Sequence, residues 1–237
     1  MNAFTFALML RRAAMTAALG FTFMSMPALG QVAPTPAEVA QYKGLHAAAQ
    51  RGDVAQIDKL VAAGQELNGR DSNGRTPLHV AVFARQRSAV TALAKAGADV
   101  QLLDNDRYDG VTIASVADDE ETLRVLLALG ARAKLTTSRY DGTALIAAAH
   151  LGHDGVVRQL IAAGAPLDHV NNLHWTAVIE SIVLGDGGLR HQATLAALIK
   201  AGANVQLADR QGNAPLALAR SRGFTAMVQM LQKVGAT

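Results

Sequence analysis

The stretch GRTPLHVA, residues 74–81, predicts the start of a helix. Thr76 can act as its N-cap, because its hydroxyl can accept a hydrogen bond from a backbone N–H of the first turn. Pro77 suits the first helical position, where its missing N–H costs no intrahelical hydrogen bond. Leu78 and Ala81 then begin an apolar stripe. The stretch therefore predicts a capped helix that buries one face.

The same unit recurs from about residue 38 to the C-terminus. A second amphipathic run, AVTALAKAGADV, follows the opening stretch and stops at a glycine, as helices often do. Six such glycines are spaced by 33, 33, 34, 38 and 33 residues: Gly64, Gly97, Gly130, Gly164, Gly202 and Gly235. We place the repeats at about 38–70, 71–103, 104–137, 138–170, 171–208 and 209–237.

Two units depart from the common pattern. In the third, we align Ile113 and Ala114 with the Pro-Leu pair, which predicts a longer approach to its first helix and a shorter turn between its helices. The fifth has five additional residues between its helices, at Gly185–His191 (GDGGLRH). Its glycines predict a mobile loop, which is either a tolerated insertion or a contact with a partner. It lacks the spacing of a phosphate-binding loop.

The G-x-TPLH-x-A signature, the two-helix unit, the Gly-Ala ending and the 33-residue period resemble the ankyrin repeat family. The resemblance covers residues 38–237 and is strongest at Gly74, Thr76, Pro77, Leu78, His79, Ala81, Gly97 and Ala98, and again at Gly212, Pro215, Leu216 and Ala219. It implies an all-α solenoid of about six helix-turn-helix units joined by short hairpin loops. Stacked repeats share one elongated core, so we expect no second domain.

The amino-acid composition is consistent with closely packed, thin helices and argues against several classes of function. Half of the 237 residues are apolar but only 4% are aromatic. The net charge of +3 falls to +1 without Arg11 and Arg12, which weakens any case for nucleic acid or an anionic membrane as partner. The absence of cysteine excludes disulfides, thiolate metal sites and thiol catalysis.

The N-terminus has the pattern of an export signal. The pair Arg11–Arg12 precedes an apolar run at Ala13–Met24, and the small residues Ala28 and Gly30 stand three and one places before a cleavage site after residue 30. We predict a cleaved signal peptide at 1–30 and a stiff, Pro-containing linker at 31–37. An uncleaved membrane anchor and twin-arginine export are the alternatives. Together with the repeats, this pattern resembles exported bacterial ankyrin proteins.

The resemblance implies that partners bind the hairpin fingers between repeats and the exposed, concave face of the first helices. Arginines and large aromatics dominate protein–protein hot spots. The finger positions carry such residues along one predicted ridge: Arg75, Arg107, Tyr108, Arg139, Tyr140, His174, Trp175 and Arg210. We predict that this ridge binds a partner protein. The alternative, compatible with the first, is that the aromatic members Tyr108, Tyr140 and Trp175 support adjacent fingers against one another.

The remaining polar residues give no catalytic pattern. His46 and His79 stand at the TPLH position, where the imidazole is expected to bond the backbone of neighbouring turns. His150, His153 and Asp154 lie close in sequence around a turn, but such a turn supplies no buried partners to orient metal-binding rings. We expect no metal, no cofactor and no catalytic residues.

The sequence therefore predicts a monomeric, non-enzymatic protein that is periplasmic or secreted and binds another protein. One alternative is an accessory protein that stabilises or activates a periplasmic enzyme. A further alternative is a metal-binding, small-ligand-binding or hydrolytic protein that uses His150, His153, Asp154 or the glycine loop. Neither nucleic acid nor a membrane is expected as a partner, apart from export itself.

Overall fold

The structure, a computed structural model, describes residues 31–237, and the predicted signal peptide lies outside the described residues. The described part forms thirteen helices and one short hairpin. The elements are α1 (Pro36–Gln41), α2 (Gly44–Arg51), α3 (Val54–Ala62), α4 (Pro77–Phe83), α5 (Arg87–Lys95), α6 (Gly110–Val116), α7 (Glu120–Ala128), β1 (Thr136–Thr137), β2 (Gly142–Thr143), α8 (Ala144–His150), α9 (Asp154–Ala162), α10 (Ala177–Val183), α11 (Leu189–Lys200), α12 (Pro215–Ser221) and α13 (Thr225–Lys233).

The helices α2 to α13 form six antiparallel pairs stacked side by side. The first helices α2, α4, α6, α8, α10 and α12 pack successively in one layer, and the second helices pack successively in another. This arrangement confirms the predicted all-α solenoid of helix-turn-helix units. Within residues 31–237, none of the helices has the length and apolar character needed to cross a membrane.

Four of the six first helices, α4, α6, α8 and α10, begin at a short polar side chain that caps them. Thr76, Thr143 and Thr176 each accept a hydrogen bond from the backbone N–H three residues on. In the third repeat the cap is Asp109, whose carboxylate accepts from the Thr112 N–H at 2.9 Å.

Asp109 corrects our alignment of the third repeat. It lies 33 residues after Thr76, so Gly110 and Val111, rather than Ile113 and Ala114, take the places of the Pro-Leu pair. The expected longer approach and shorter turn are therefore wrong, since three residues separate α6 from α7 as they separate α4 from α5. A carboxylate caps a helix as well as a hydroxyl does, which is why the motif can lack threonine.

The histidines of the TPLH position join adjacent repeats. His79 is buried; its Nδ1 accepts from the Thr76 N–H at 3.1 Å, and its Nε2 donates to the carbonyl of Leu102 at 3.0 Å. Burial lowers the pKa of His79 to about 4, so the ring is neutral. His46 Nε2 contacts the carbonyl of Arg75 at 2.9 Å in the same manner. The predicted structural role of both histidines is confirmed.

The N-terminal segment is attached to the first finger. The helix α1 begins at Pro36, inside the predicted linker, and Thr35 and Glu38 form a reciprocal cap at its start. Glu38 also contacts Asn73 and Arg75 of the second repeat, while the Tyr42 hydroxyl donates to Asp71 at 2.8 Å. Because repeat 1 has no finger of its own, α1 covers this end of the ridge.

Candidate partner-binding surface

Four of the five fingers are held by an acidic or amide side chain that folds the tip, and in repeat 4 the hydroxyl of Ser138 accepts from the Tyr140 N–H at 3.2 Å instead. Asp71 Oδ1 accepts from the backbone N–H groups of Asn73 at 2.9 Å and Arg75 at 2.8 Å. The same pair of contacts recurs at three equivalent positions: Asp104, Asn171 and Asp209. Such side-chain turns replace the backbone hydrogen bonds that a tight loop lacks, so the tips are rigid.

Neighbouring fingers are joined by a ladder of backbone hydrogen bonds. The N–H of Asn105 donates to the carbonyl of Asn73 at 3.0 Å. The N–H of Ser138 donates to the Arg107 carbonyl at 2.9 Å, and the N–H of Asn172 to the Tyr140 carbonyl at 2.9 Å. The tips of repeats 2 to 5 therefore form one continuous ridge, as predicted from their alignment.

The structure places two of the eight predicted contact residues inside the array. Arg75 is only 2% exposed and forms ion pairs with Glu38 at 2.7 Å and Asp71 at 2.9 Å. Tyr108 is 8% exposed and belongs to the apolar core. Both precede an N-cap, where the finger turns back into the first helix. Burial at this position removes them from the surface that a partner can touch, which corrects their assignment.

The other arginines of the ridge brace neighbouring fingers. Arg107 forms an ion pair with Asp141 at 2.8 Å, and Arg139 lies 3.5 Å from Asp106. The guanidinium of Arg210 donates to the carbonyl of Asn172 at 2.9 Å. All three side chains remain open to solvent, so bracing and partner contact are compatible here.

The exposed apolar surface of the ridge is concentrated on repeats 4 and 5. Tyr140 and Leu173 occupy equivalent tip positions and are about equally exposed, with Val170 also exposed beside them. His174 is exposed and Trp175 is half-buried. Sequence reasoning did not select Leu173 or Val170 as contact residues. For Leu173 the alignment offered a signal, because a leucine stands where repeats 2 and 3 have Asn73 and Asp106.

The additional residues of repeat 5 form an ordered structure, so the predicted mobile loop is wrong. The helix α11 has 12 residues where α5, α7, α9 and α13 have nine, because part of the insertion extends its N-terminal end. Arg190 on this extension pairs with Asp118 of repeat 3 at 2.8 Å and with Asp154 of repeat 4 at 3.3 Å. One side chain thus ties three repeats together.

We call residues 184–192, which contain the insertion, the strap. Further contacts hold the rest of this segment in place. His191 is 9% exposed; its Nδ1 lies 2.8 Å from Asp186 Oδ1 and its Nε2 lies 2.9 Å from the carbonyl of His150. The Arg222 guanidinium donates to the Gly185 carbonyl at 3.0 Å. Gly187 has a φ of 70° and lies against the Phe224 ring, which leaves no room for a Cβ.

The residues considered for metal binding point to different partners. His153 Nδ1 contacts the Ser115 carbonyl at 2.9 Å, Asp154 pairs with two arginines, and His150 Nδ1 lies 3.5 Å from Glu180 Oε2. Across residues 31–237, no cluster of three or more such ligands is suited to a metal ion. Glu180 is buried beneath the fifth finger, and this burial raises the pKa of its carboxyl to about 8.

Comparison with known proteins gives one consistent answer. A family model described as ankyrin repeats (3 copies) matches residues 32–104 and 111–209. The ankyrin repeat protein YahD of Escherichia coli is 35% identical over 190 residues, which cover 80% of this chain and 94% of that relative.

Solved structures agree with this match. An ankyrin repeat domain from Acinetobacter baumannii is 43% identical with a TM-score of 0.77, over 81% of this chain and 98% of that one. A chain in the complex of a predatory endopeptidase from Bdellovibrio bacteriovorus with an immunity protein is 24% identical with a TM-score of 0.68, over 81% and 98%. This second likeness concerns the fold alone.

Proposed function

The chain belongs to the ankyrin repeat family, and from that premise we propose that it is an exported, non-enzymatic protein that binds another protein through the finger tips of repeats 4 to 6. Ankyrin repeats are protein–protein interaction modules, which gives the general class of activity. To this general class we add four specific proposals: the binding site is the finger tips, the protein is exported to the periplasm or secreted, it is a monomer, and it acts without a cofactor or nucleic acid.

The observation that carries the proposal is the exposed apolar and basic surface on a rigid ridge. Tyr140 and Leu173 lie at equivalent positions on the neighbouring fingers of repeats 4 and 5. Arg139 is on the same finger as Tyr140, and Arg210 is on the next finger after that of Leu173. Because the tips are already fixed by hydrogen bonds, a partner would not have to order them on binding. Aromatic and arginine side chains with this rigidity favour a protein partner.

The test is capture of a partner from an extract of cells that express the protein. Residues 31–237 are compared with a variant that carries Arg139→Ala, Tyr140→Ala and His174→Ala, all at exposed positions. A matched control carries Lys95→Ala, Arg124→Ala and Lys200→Ala on the exposed sides of the second helices. We expect capture to be lost in the first variant and kept in the control. Equal capture by all three proteins would contradict a finger-tip site.

Export is tested separately by fractionating cells that produce the full chain. We expect the periplasmic or extracellular protein to lack residues 1–30 by mass spectrometry, as the small residues Ala28 and Gly30 predict. A full-length mass in the cytoplasmic fraction would contradict export. An intact chain in the membrane fraction would support an uncleaved anchor instead.

A second candidate is an accessory role toward an exported enzyme. A solved complex of an endopeptidase with an immunity protein contains a chain of this fold, so a fold of this type occurs in such an assembly. This role uses the same finger-tip surface and differs only in what the partner does. Assaying the captured partner for activity, with and without residues 31–237, separates the two roles.

A further inference from the structure

Two side chains of repeat 5 differ in type from their counterparts in the other repeats, and they bond to each other. Glu180 is the fourth residue of α10. The fourth residue of every other first helix is apolar: Ala47, Val80, Ile113, Ala147 and Leu218. Asn171 stands where repeats 2, 3 and 6 have an aspartate and repeat 4 has a serine. Its amide donates to Glu180 Oε1 at 2.8 Å, which an ionised aspartate could not do.

Asn171 joins α10 to the finger of repeat 5 (residues 171–175). Its Oδ1 accepts from the backbone N–H groups of Leu173 and Trp175, both at 3.0 Å, while its Nδ2 donates to Glu180. The aspartates of repeats 2, 3 and 6 make the same two turn contacts, but the helix position that corresponds to Glu180 is apolar there. The link from a finger tip to a carboxyl on its own first helix is therefore a feature of repeat 5.

The carboxyl of Glu180 is buried without a cation that would compensate its charge. Glu180 is 5% exposed, and of the described residues only His150 of α8 lies within ion-pair distance, with its Nδ1 3.5 Å from Oε2. Burial lowers the pKa of His150, so its ring is neutral near neutral pH, and burial raises the pKa of Glu180 to about 8. An ionised Glu180 under a closed finger would thus lack both water and a counter-ion.

The other charged or titratable groups around α10 do not supply that counter-ion. The helices α8, α11 and α12 pack on α10, and the only titratable side chain of α8 is His150. Four groups on or beside the other elements have partners of their own: His169 at the Asp141 carbonyl, Arg190 at Asp118 and Asp154, His191 at the His150 carbonyl, and Arg222 at the Gly185 carbonyl. Four more are exposed to solvent: Asp168, His174, Lys200 and Arg220.

We propose that Glu180 and Asn171 form a pH-sensitive switch, in which the protonated carboxyl of Glu180 holds the finger of repeat 5 against α10 and ionisation of that carboxyl releases the finger into water. In the open form the carboxylate is hydrated, so the open form releases a proton that the closed form keeps. The ratio of open to closed forms therefore rises with pH, by up to about tenfold per unit between about pH 4.5 and about pH 8, and levels off above that range.

Release of this finger changes the surface proposed for partner binding. The finger carries Leu173 and His174, and the N–H of Asn172 donates to the Tyr140 carbonyl of the preceding finger at 2.9 Å. A partner that binds the closed tips is therefore bound more weakly as the pH rises. This consequence rests on the proposed function, whereas the switch itself does not. An apolar residue in place of Glu180 would avoid the cost of a buried carboxyl and would hold the finger at every pH.

The test is hydrogen exchange, followed by mass spectrometry, in residues 31–237, which form a compact unit of their own. The unmodified protein and Glu180→Gln are compared at equal pH, so that the intrinsic exchange rates of the amides cancel. Glutamine keeps an acceptor for Asn171 and cannot ionise. Glu180→Val, which restores an apolar residue as in repeat 2, is the second variant if the glutamine variant folds poorly. Glu121→Gln, a change at an exposed carboxylate on α7, is the matched control.

We expect exchange in residues 171–175 to be faster in the unmodified protein than in Glu180→Gln, by a ratio that rises up to about tenfold per pH unit. The ratio in residues 71–75, the finger of repeat 2, should stay well below it, because the opening is local. Glu121→Gln should exchange like the unmodified protein.

Equal ratios in the two fingers would mean that Glu180 acts only through global unfolding, which overturns the switch. A ratio in residues 171–175 that is constant between about pH 5 and about pH 8 overturns it as well. Because no partner is present in this experiment, either failure leaves the finger-tip site unaffected, and loss of the finger-tip site leaves the switch unaffected. Circular dichroism at each pH confirms that every variant is folded.

Discussion

Glu180 is the residue whose ionisation is most strongly coupled to folding. It lies on α10, and its Oε1 accepts from the Asn171 amide at 2.8 Å. Burial raises the pKa of its carboxyl from 4.5 to about 8, while burial also lowers the pKa of the neighbouring His150. Both groups are therefore neutral near neutral pH, and the 3.5 Å between them is not an ion pair under those conditions.

We predict that Glu180 makes the array less stable as the pH rises. Between about pH 4.5 and about pH 8 the folded protein holds a proton on Glu180 that the unfolded chain has released, so the free energy of unfolding falls across this window by about 4 kcal/mol in total. Glu180→Gln keeps the contact with Asn171 and cannot ionise. Its free energy of unfolding, from urea titration, should exceed that of the unmodified protein at about pH 8 and converge with it at about pH 5.

The control for this pH effect is Glu121→Gln, which removes an exposed carboxylate from α7. That variant should keep the pH dependence of the unmodified protein. If Glu180→Gln shows the same fall in stability with pH as Glu121→Gln, the carboxyl of Glu180 is ionised in the folded state and the prediction is wrong.

At the scale of the element, each finger has a residue in the left-handed backbone region at one shared position, and repeat 4 has a second at Ser138. Gly74 and Gly212 take it in repeats 2 and 6, with φ of 73° and 83°. Arg107, Asp141 and His174 take it in repeats 3, 4 and 5, with φ of 65°, 52° and 63°. Arg107 and Asp141 form an ion pair with each other, which compensates part of this strain. His174 has an exposed side chain and the same backbone strain.

We predict that His174→Gly stabilises the array. A side chain in the left-handed region destabilises the folded state by about 1–2 kcal/mol, and glycine removes this strain. Glycine also gives the unfolded chain more conformational freedom, which lowers the free energy of unfolding by about 0.5–1 kcal/mol. The net gain should be about 0.5 kcal/mol in the free energy of unfolding by urea. Leu173→Gly, one residue earlier, gains nothing from relief of strain and should destabilise. Similar losses in both variants would mean that the backbone at His174 is not strained.

The elements differ in how far the sequence predicts them. Threonine, proline and glycine fixed the helix starts and stops because each acts on the local backbone, whereas Asp109 was overlooked as a cap because its position, not its residue type, matches Thr76. Arg75 and Tyr108 were assigned to the surface by residue type, since arginine is mostly exposed in proteins. Their burial depends on the packing of α1 and adjacent fingers, which no local pattern records. The order of the strap likewise arises from contacts with Asp118 and Phe224, both distant in sequence.

At the scale of the whole molecule, the core is a line of similar layers rather than a centre. Fully buried leucines and isoleucines lie in every repeat, among them Leu45, Leu78, Leu123, Leu126, Leu160, Leu195 and Leu231. Each repeat packs only on its neighbours, apart from the strap, which adds a connection from repeat 5 to repeat 3. In such an array, the loss of stability that follows from removing a contact depends on the position of that contact along the array.

The same substitution should therefore have different consequences in the middle and at the end of the array. Leu126 on α7 and Leu231 on α13 are both 0% exposed, and replacing either leucine by alanine removes about 2–5 kcal/mol of local packing. Repeat 3 has neighbours on both sides, so Leu126→Ala should weaken the whole cooperative unit. The last described repeat can unfold alone, so Leu231→Ala should loosen α12 and α13 first and leave the rest largely intact.

The single tryptophan, Trp175 in repeat 5, reports on the interior of the array during urea unfolding. We expect Leu126→Ala to lower the midpoint of the Trp175 fluorescence transition. Leu231→Ala should shift that midpoint much less, while hydrogen exchange in residues 215–233 becomes faster at low urea, because fraying of one terminal repeat forfeits one interface rather than two. Equal shifts of the Trp175 midpoint in the two variants would mean that the six repeats unfold as one indivisible unit, in which the position of a lost contact has no effect.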